Sequence, residues 1–214
     1  MTVVITGAGR GIGASLAAHY RAQGLDVVGT GRSFAADVTL DVTHPSGHRE
    51  MAQKLEGRAI DLLVCNAGVY LDKGDDIETG YGADLWAQSF ATNVTGVFLS
   101  VQALLPHLRR AAAPRVAIIS SQMGSSERAP GGSYIYRASK AAALNLGRNL
   151  ATDLKSEGIA VGIYHPGWVQ TDMGGGAAEI TVDEAVSGLT ARFEALSLEN
   201  TGCFETWDGR PHPY

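Results

Sequence analysis

A phenol and an ammonium stand four residues apart in YIYRASKAAALNLGRNLA, a stretch that begins at Tyr134 and reads as a helix start. Residues four apart share one helix face and residues six apart do not, so Lys140 meets Tyr136 and not Tyr134. An ammonium held beside a phenol favours the phenolate, lowers the phenol's pKa and makes it a better proton donor near neutral pH. A single YxxxK pair also arises by chance, with a tyrosine at a helix start and a lysine in solvent.

A second constellation changes that balance. TGAGRGIG (6–13) follows an apolar run, TVVIT, and opens an alanine-rich segment, so the glycines fall at a strand-to-helix turn. Glycines let backbone amides approach a pyrophosphate, and the helix N-terminus favours its charge. Gly9-x-Gly11-x-x-Ala14 satisfies the general dinucleotide pattern, but the strand-to-helix context fits Gly7, Gly11 and Gly13 better. His44 and His48 have the helical spacing of a metal pair, yet Pro45 and Gly47 lie between them and no further ligand cluster accompanies them, so no metal is expected.

The elements that must carry these groups alternate. Strand-like runs at 2–6, 26–30, 38–42, 60–65, 115–120 and 160–165 are separated by helix-length segments, among them 12–23, about 85–109 and about 135–156. That rhythm predicts an α/β fold, a single-domain Rossmann-type doubly wound parallel sheet. Ile12, Leu16, Ala17 and Tyr20 form the apolar stripe of the first helix, which stops at Gly24. Only GRSFAAD links the second and third strands; a crossover helix needs more residues, so it should be absent or reduced, leaving one sheet face partly open. Thr181 and Glu184 form a capping-box signature for a final helix to about Leu196, followed by a strand near CFETW. The glycine-rich stretch 172–180 is expected to form a flexible substrate lid within the domain 1–214.

With 214 residues, 45% hydrophobic and 18% charged, the chain suits one domain with a full-sized core. A net charge of -5 without a basic run argues against nucleic-acid partners. No apolar stretch approaches the length of a membrane span, and the apolar start MTVVITGAGRG carries no leader pattern, so no membrane partner and a cytoplasmic location are expected. Cys65 and Cys203 lack CxxC spacing and read as thiols.

Thr6 to Gly13, CNAG (65–68), Asn93, Ser120-Ser121, YRASK (136–140) and HPGWVQT (165–171) follow one another in the order TGxxxGxG, NAG, Asn, Ser, YxxxK and PG. In this the chain resembles the short-chain dehydrogenase/reductase family over nearly its whole length. ISSQMGS, GGSYIYRASKAA, HPGWVQTDMGG and TGCFETWDG look closest to its C-factor-like or carbonyl-reductase-like branch. The resemblance implies carbonyl–alcohol interconversion on a small-molecule substrate, with Tyr136 as acid or base. Lys140 would tune Tyr136 and bond the nicotinamide ribose. Ser121 would polarise the substrate oxygen, and Asn93 would anchor a water linking Lys140 to solvent. Ser121 lies fifteen residues before Tyr136, where the family spacing is about thirteen, which an insertion within SSERAPGGS would explain. Ser120 is the fallback, pointing by strand alternation to the opposite side.

On the cofactor side the resemblance implies contacts from Gly7, Arg10, Gly11, Ile12 and Gly13, from Asn66, Ala67 and Gly68, and from the adenine-side pair Asp41 and Val42. Cys65 replaces the first Asn of the family's NNAG, but Asn66 is retained. Pro166, Gly167, Val169 and Thr171 match the segment that receives the nicotinamide carboxamide. Gly31 stands where an acid would grip the 2'-hydroxyl of NAD, and Arg32 follows it, so NADP(H) is the expected cofactor, with Arg10 a second charge near the 2'-phosphate. Met123, Trp168 and Met173 suggest a partly apolar substrate pocket. Relatives pair through the long helix and the Tyr136 helix, as a homodimer or homotetramer, and the alanine face AAALNLGRNLA would allow it. Arg109, Arg110 and Arg148 could equally cover a monomer. A dinucleotide-binding signalling or sensor protein is the alternative function. An extended sugar epimerase would need a larger C-terminal region than the residues here provide.

Overall fold

Successive residues of each central strand serve opposite layers of the molecule, as a sheet buried on both faces requires. The computed structural model describes residues 1–33 and 36–214. Its strands are β1 (Thr2–Ile5), β2 (Asp26–Gly31), β3 (Val38–Thr39), β4 (Leu62–Cys65), β5 (Arg115–Ile119), β6 (Ala160–His165) and β7 (Phe204–Thr206). They form one parallel sheet in the order β3-β2-β1-β4-β5-β6-β7. The helices are α1 (Gly11–Ala22), α2 (Pro45–Lys54), α3 (Ala83–Phe90), α4 (Gly96–Leu108), α5 (Tyr134–Leu154) and α6 (Val182–Ala195).

Val4, Leu63, Cys65, Val116 and Ile118 pack with residues of α2, α4 and α5, including Met51, Leu104 and Leu144. Their chain neighbours Val3, Ile5, Leu62, Val64, Ala117 and Ile119 pack instead with Leu16, Ala17 and Tyr20 of α1 and Leu189 and Phe193 of α6. The sheet is thus doubly wound, and its order reverses between β1 and β4, where the carboxyl ends of the strands splay to leave a crevice. The predicted capping box is present: Thr181 Oγ1 accepts from Glu184 N while Glu184 Oε2 accepts from Thr181 N.

Between β2 and β3 the described residues 32, 33, 36 and 37 form bends and no helix; Phe34 and Ala35 of the GRSFAAD link lie outside the described residues. The chain crosses β2 where side chains are missing. Gly29 and Gly31 leave room for Ala8 and Ala36, and Asp37 Oδ2 accepts from Gly29 N at 2.6 Å and from Arg21 Nη2 at 2.5 Å.

One element was not named in the sequence reading and another differs from it. Residues 45–54 form α2, with Pro45 in its first turn, where the missing N–H costs nothing. The helix expected over 85–109 is interrupted: a π-helical turn at Ala91–Thr95 separates α3 from α4 and contains Asn93. Such turns insert one residue into a helix and re-aim its side chains.

Candidate active site

The glycine turn between β1 and α1 is built by contact with β4. Asn66 Nδ2 donates to the carbonyls of Thr6 and Gly7, and Thr6 Oγ1 accepts from the amides of Asn66 and Ala67. This clamp leaves no space for two side chains: a Cβ on Gly7 would lie 2.8 Å from Ala67 Cα, and one on Gly13 would strike Gly7 O and Asn66 Nδ2. Gly7 and Gly11 also take positive φ, 68° and 55°, whereas Gly9 faces open space. The pattern Gly7, Gly11, Gly13 is therefore the one the packing requires. Arg10 caps α1 without a side-chain hydrogen bond and no acid sits in the first turn, so this positive helix end is free for an anion, as a pyrophosphate demands. Ile12 is half-buried behind it.

Just after β2, Arg32 is exposed. Burial alone would raise the Asp41 carboxyl, but hydrogen bonds from Thr43 and the charges of His44 and Arg32 outweigh it and hold the group below its ordinary range. The buried Val42 packs where a Cβ on Gly96 would lie 2.8 Å away, and its carbonyl bonds His48 Nε2 at 2.9 Å. His48 thus fixes the Asp41–Val42 turn.

The strand alternation between Ser120 and Ser121 is realised. Ser120 Oγ is buried and donates to Lys140 O at 2.9 Å. Ser121 Oγ accepts from Met123 N and lies on the side of the Tyr136 phenol, whose pKa it acts to lower. The extra length before Tyr136 falls in exposed chain at 126–132, where Gly131 and Gly132 take positive φ, so the turn absorbs it without moving the serine.

Around Tyr136 burial is nearly complete. It pushes the phenol up to about 12, opposed by Ser121 and reinforced by Tyr70 and Asp72. Lys140 lies one turn on, its Nζ 5.7 Å from the Tyr136 ring centroid, and donates to Ile119 O at 2.9 Å. Burial lowers the Lys140 ammonium to about 8. The shared helix face is as expected, but the expected depression of the phenol is not: the ammonium is turned to a carbonyl, and desolvation wins.

Asn93 Oδ1 accepts from Val69 N at 2.8 Å, while Nδ2 donates to Val69 O and to Ser139 Oγ. A Cβ on Gly68 would lie 3.4 Å from both Asn93 Oδ1 and Lys140 Nζ, so NAG, Asn93 and Lys140 form one contiguous floor.

Two residues of this floor had no sequence signal. Tyr70 stacks on Tyr136 with ring centroids 4.2 Å apart and bonds Ser133 Oγ at 2.5 Å. Asp72 is fully buried and accepts from the first amides of α5, Ile135 N at 2.8 Å and Tyr136 N at 3.2 Å.

After β6, Gly167 has a φ of 89°, and a Cβ there would meet Trp207 Cδ1 at 2.9 Å. Val169 is buried and bridges Ile180. Thr171 Cγ2 lies 3.5 Å from where a Gly11 Cβ would stand, and Arg10 Nη1 bonds Asp172 Oδ2 at 2.9 Å, so the segment after Pro166 touches the glycine turn across the crevice. Both ends of that ion pair are exposed, which makes it weak. Direct contacts thus join the glycine turn to Asn66 and to the segment after Pro166, and join Gly68 to Asn93 and Lys140.

The comparisons agree with this geometry. The family model for short chain dehydrogenase matches residues 1–180. C-signal of Myxococcus xanthus is 40% identical over 159 residues, covering 72% of this chain and 93% of that protein. The 1-hydroxy-2-glutathionyl-2-methyl-3-butene dehydrogenase of Rhodococcus sp. (strain AD45) is 32% identical over 225 residues, 97% of each. An NADPH-bound carbonyl reductase from chicken fatty liver superposes with a TM-score of 0.90 at 29% identity, covering 100% of this chain and 98% of that one. The chain belongs to the short-chain dehydrogenase family, oxidoreductases that work with a nicotinamide dinucleotide on small molecules. No helix among the described residues is long and apolar enough to cross a membrane.

Proposed function

We propose that this chain is an NADP(H)-dependent carbonyl reductase, interconverting a carbonyl compound and an alcohol with Tyr136 as acid and base. The observation that carries the reading is the buried Tyr136 phenol with Ser121 acting on its pKa, set beside the floor that holds Lys140 and Asn93. The bound cofactor supplies or accepts hydride. Tyr136, protonated at neutral pH with its pKa near 12, delivers a proton to the substrate oxygen from its Oη. Ser121 Oγ, fixed by Met123 N, holds that oxygen and stabilises its growing charge. Lys140, at about 8, is the group whose charge can change near neutral pH, and Asn93 connects it to solvent.

A cofactor with a 2'-phosphate, NADP(H) rather than NAD(H), is favoured by charge. Gly31 and Arg32 end β2, and the nearby carboxylate of Asp37 is engaged by Gly29 N and Arg21. The cofactor in the chicken carbonyl reductase structure is likewise NADPH. The lid at 172–180, the pairing of copies through α4 and α5, and a cytoplasmic location belong to the same proposal.

Consumption of NADPH, with NADH alongside, by a panel of aldehydes, ketones and quinones tests it. Turnover is expected with NADPH and at least tenfold less with NADH, about 1.4 kcal/mol of discrimination. Tight NADPH binding with no turnover would favour a signalling protein instead, the reading to which the likeness to C-signal lends weight. Ser121→Ala should lose about 10²–10³ in kcat. Ser120→Ala should cost about 1 kcal/mol of stability with little change in kcat, since Ser120 serves only the Lys140 carbonyl. The opposite pattern in thermal melts and steady-state rates would reassign the two serines.

A further inference from the structure

A cavity of about 380 Å³ opens between Gln122 and the segment after Pro166, and its arginines and histidines have no part in the roles above. Gln122, the neighbour of Ser121, forms one wall; Gly167 and Trp168 form another; the tail around Arg210 and His212 closes the third. Arg128 dominates its charge. Its Nη1 donates to Gln122 Oε1 at 2.8 Å and lies 3.4 Å from His212 Nε2, and among the described residues no carboxylate comes within 4.0 Å of it. A guanidinium oriented by neutral partners keeps its charge and its remaining N–H fork for a ligand.

Other lining groups favour an anion too. Arg210 adds a second guanidinium, partly offset because its Nε bonds Asp208 Oδ2 at 2.7 Å. Glu179 is the only acid among the lining residues and is exposed at the rim. His165 is 8% exposed, and its Nδ1 has no partner among the described residues. Burial first, then His212 and Arg128, push its pKa down to about 3, so the imidazole is neutral and feels the arginine's field. A buried ring nitrogen left without a partner in a cavity wall marks a place for a polar ligand group. Trp168 and Trp207 supply apolar surface beside it.

We propose that this cavity receives a carboxylate carried by the substrate, with Arg128 as its principal partner, so that the preferred carbonyl compounds bear an acidic tail. The proposal rests on the carbonyl-reductase reading and deepens it. Nothing in the reacting centre itself demands such a charge; the selectivity is set one residue beyond Ser121.

The test uses 6-oxohexanoate and its methyl ester, which share one aldehyde and differ in charge, with NADPH and the full chain. The acid should show kcat/KM about tenfold or more above the ester in the wild type, with that ratio near one in Arg128→Gln and intermediate in Arg128→Lys. A wild-type ratio near one, or a ratio unchanged by Arg128→Gln, overturns the proposal. A binding arm separates it from the redox reading: hexanoate, which cannot be reduced, is titrated while the fluorescence of Trp168 and Trp207 is followed. Saturable binding that Arg128→Gln removes, in a protein that reduces no carbonyl, sinks the reductase reading and keeps the anion site. No saturable binding in the wild type overturns the site.

Discussion

Tyr136→Phe is expected to lower kcat by about 10²–10⁴-fold while changing the NADPH dissociation constant by less than about threefold. The contacts that seat the residue do not need its hydroxyl. The ring stacks on Tyr70, the backbone amide is held by Asp72, and Lys140 is anchored separately on Ile119 O. Only the phenol's interaction with Ser121 disappears, so the fold and the crevice should persist. The direction of reaction sharpens the test. A phenol near 12 is fully protonated at pH 7, which suits proton donation to a carbonyl; alcohol oxidation needs the phenolate and should climb as pH rises toward that value. Lys140 begins to lose its charge near pH 8, so assays of reduction belong below that point. Loss of less than tenfold in kcat, measured by NADPH absorbance under saturating substrate, would remove Tyr136 from the acid role.

Much of this arrangement was legible because it is local. The glycine turn is a strand, a turn and a helix start within one short stretch, and its steric demand at Gly7 and Gly13 follows from that neighbourhood. Tyr136 and Lys140 are one helical turn apart, and Ser120 and Ser121 are sorted by strand alternation alone. The α6 start needed only Thr181 and Glu184. What escaped was set by distant partners. Helix α2 has low apolar content, and Gly47 belongs there because a Cβ would lie 3.0 Å from Leu40 Cδ1. The π-helical turn at Asn93 has no local sequence mark; the asparagine side chain is gripped by Val69 and Ser139, far away in sequence. The ionisation of the phenol also depended on where the lysine turned, and spacing along a helix fixes the face but not that direction. The shortness of the link between β2 and β3 was legible from chain length, yet how its described residues pack, against two glycines of β2 and with Asp37 bonded to Gly29 N, required the packed sheet.

Asp72→Ala is the second large effect expected, and it separates positioning from chemistry. Helix α5 begins without a side-chain cap of its own, since Ser133 is left-handed and bonds Tyr70 instead. The carboxylate that replaces the cap comes from the loop after β4, more than sixty residues upstream, and is buried with two amides of the helix on it. Removing it strands those amides away from water, a loss of about 1–3 kcal/mol, and also removes a negative charge from the positive end of the helix, worth up to about 2 kcal/mol. Asp72→Asn retains one oxygen acceptor but turns an NH₂ toward an N–H, so its stability should fall between the two. The functional readout is the split between constants. Because Tyr136 is itself one of the residues whose amide is released, kcat should drop about tenfold or more well below the melting temperature, where the variant is still folded, whereas NADPH affinity, which the proposal assigns mainly to the β1–α1 turn and Arg32, should change little. A purely structural role would lower the melting temperature and leave kcat per folded molecule intact. That outcome would confine Asp72 to stability and place the control of Tyr136 with the Tyr70 stack and Ser121 alone.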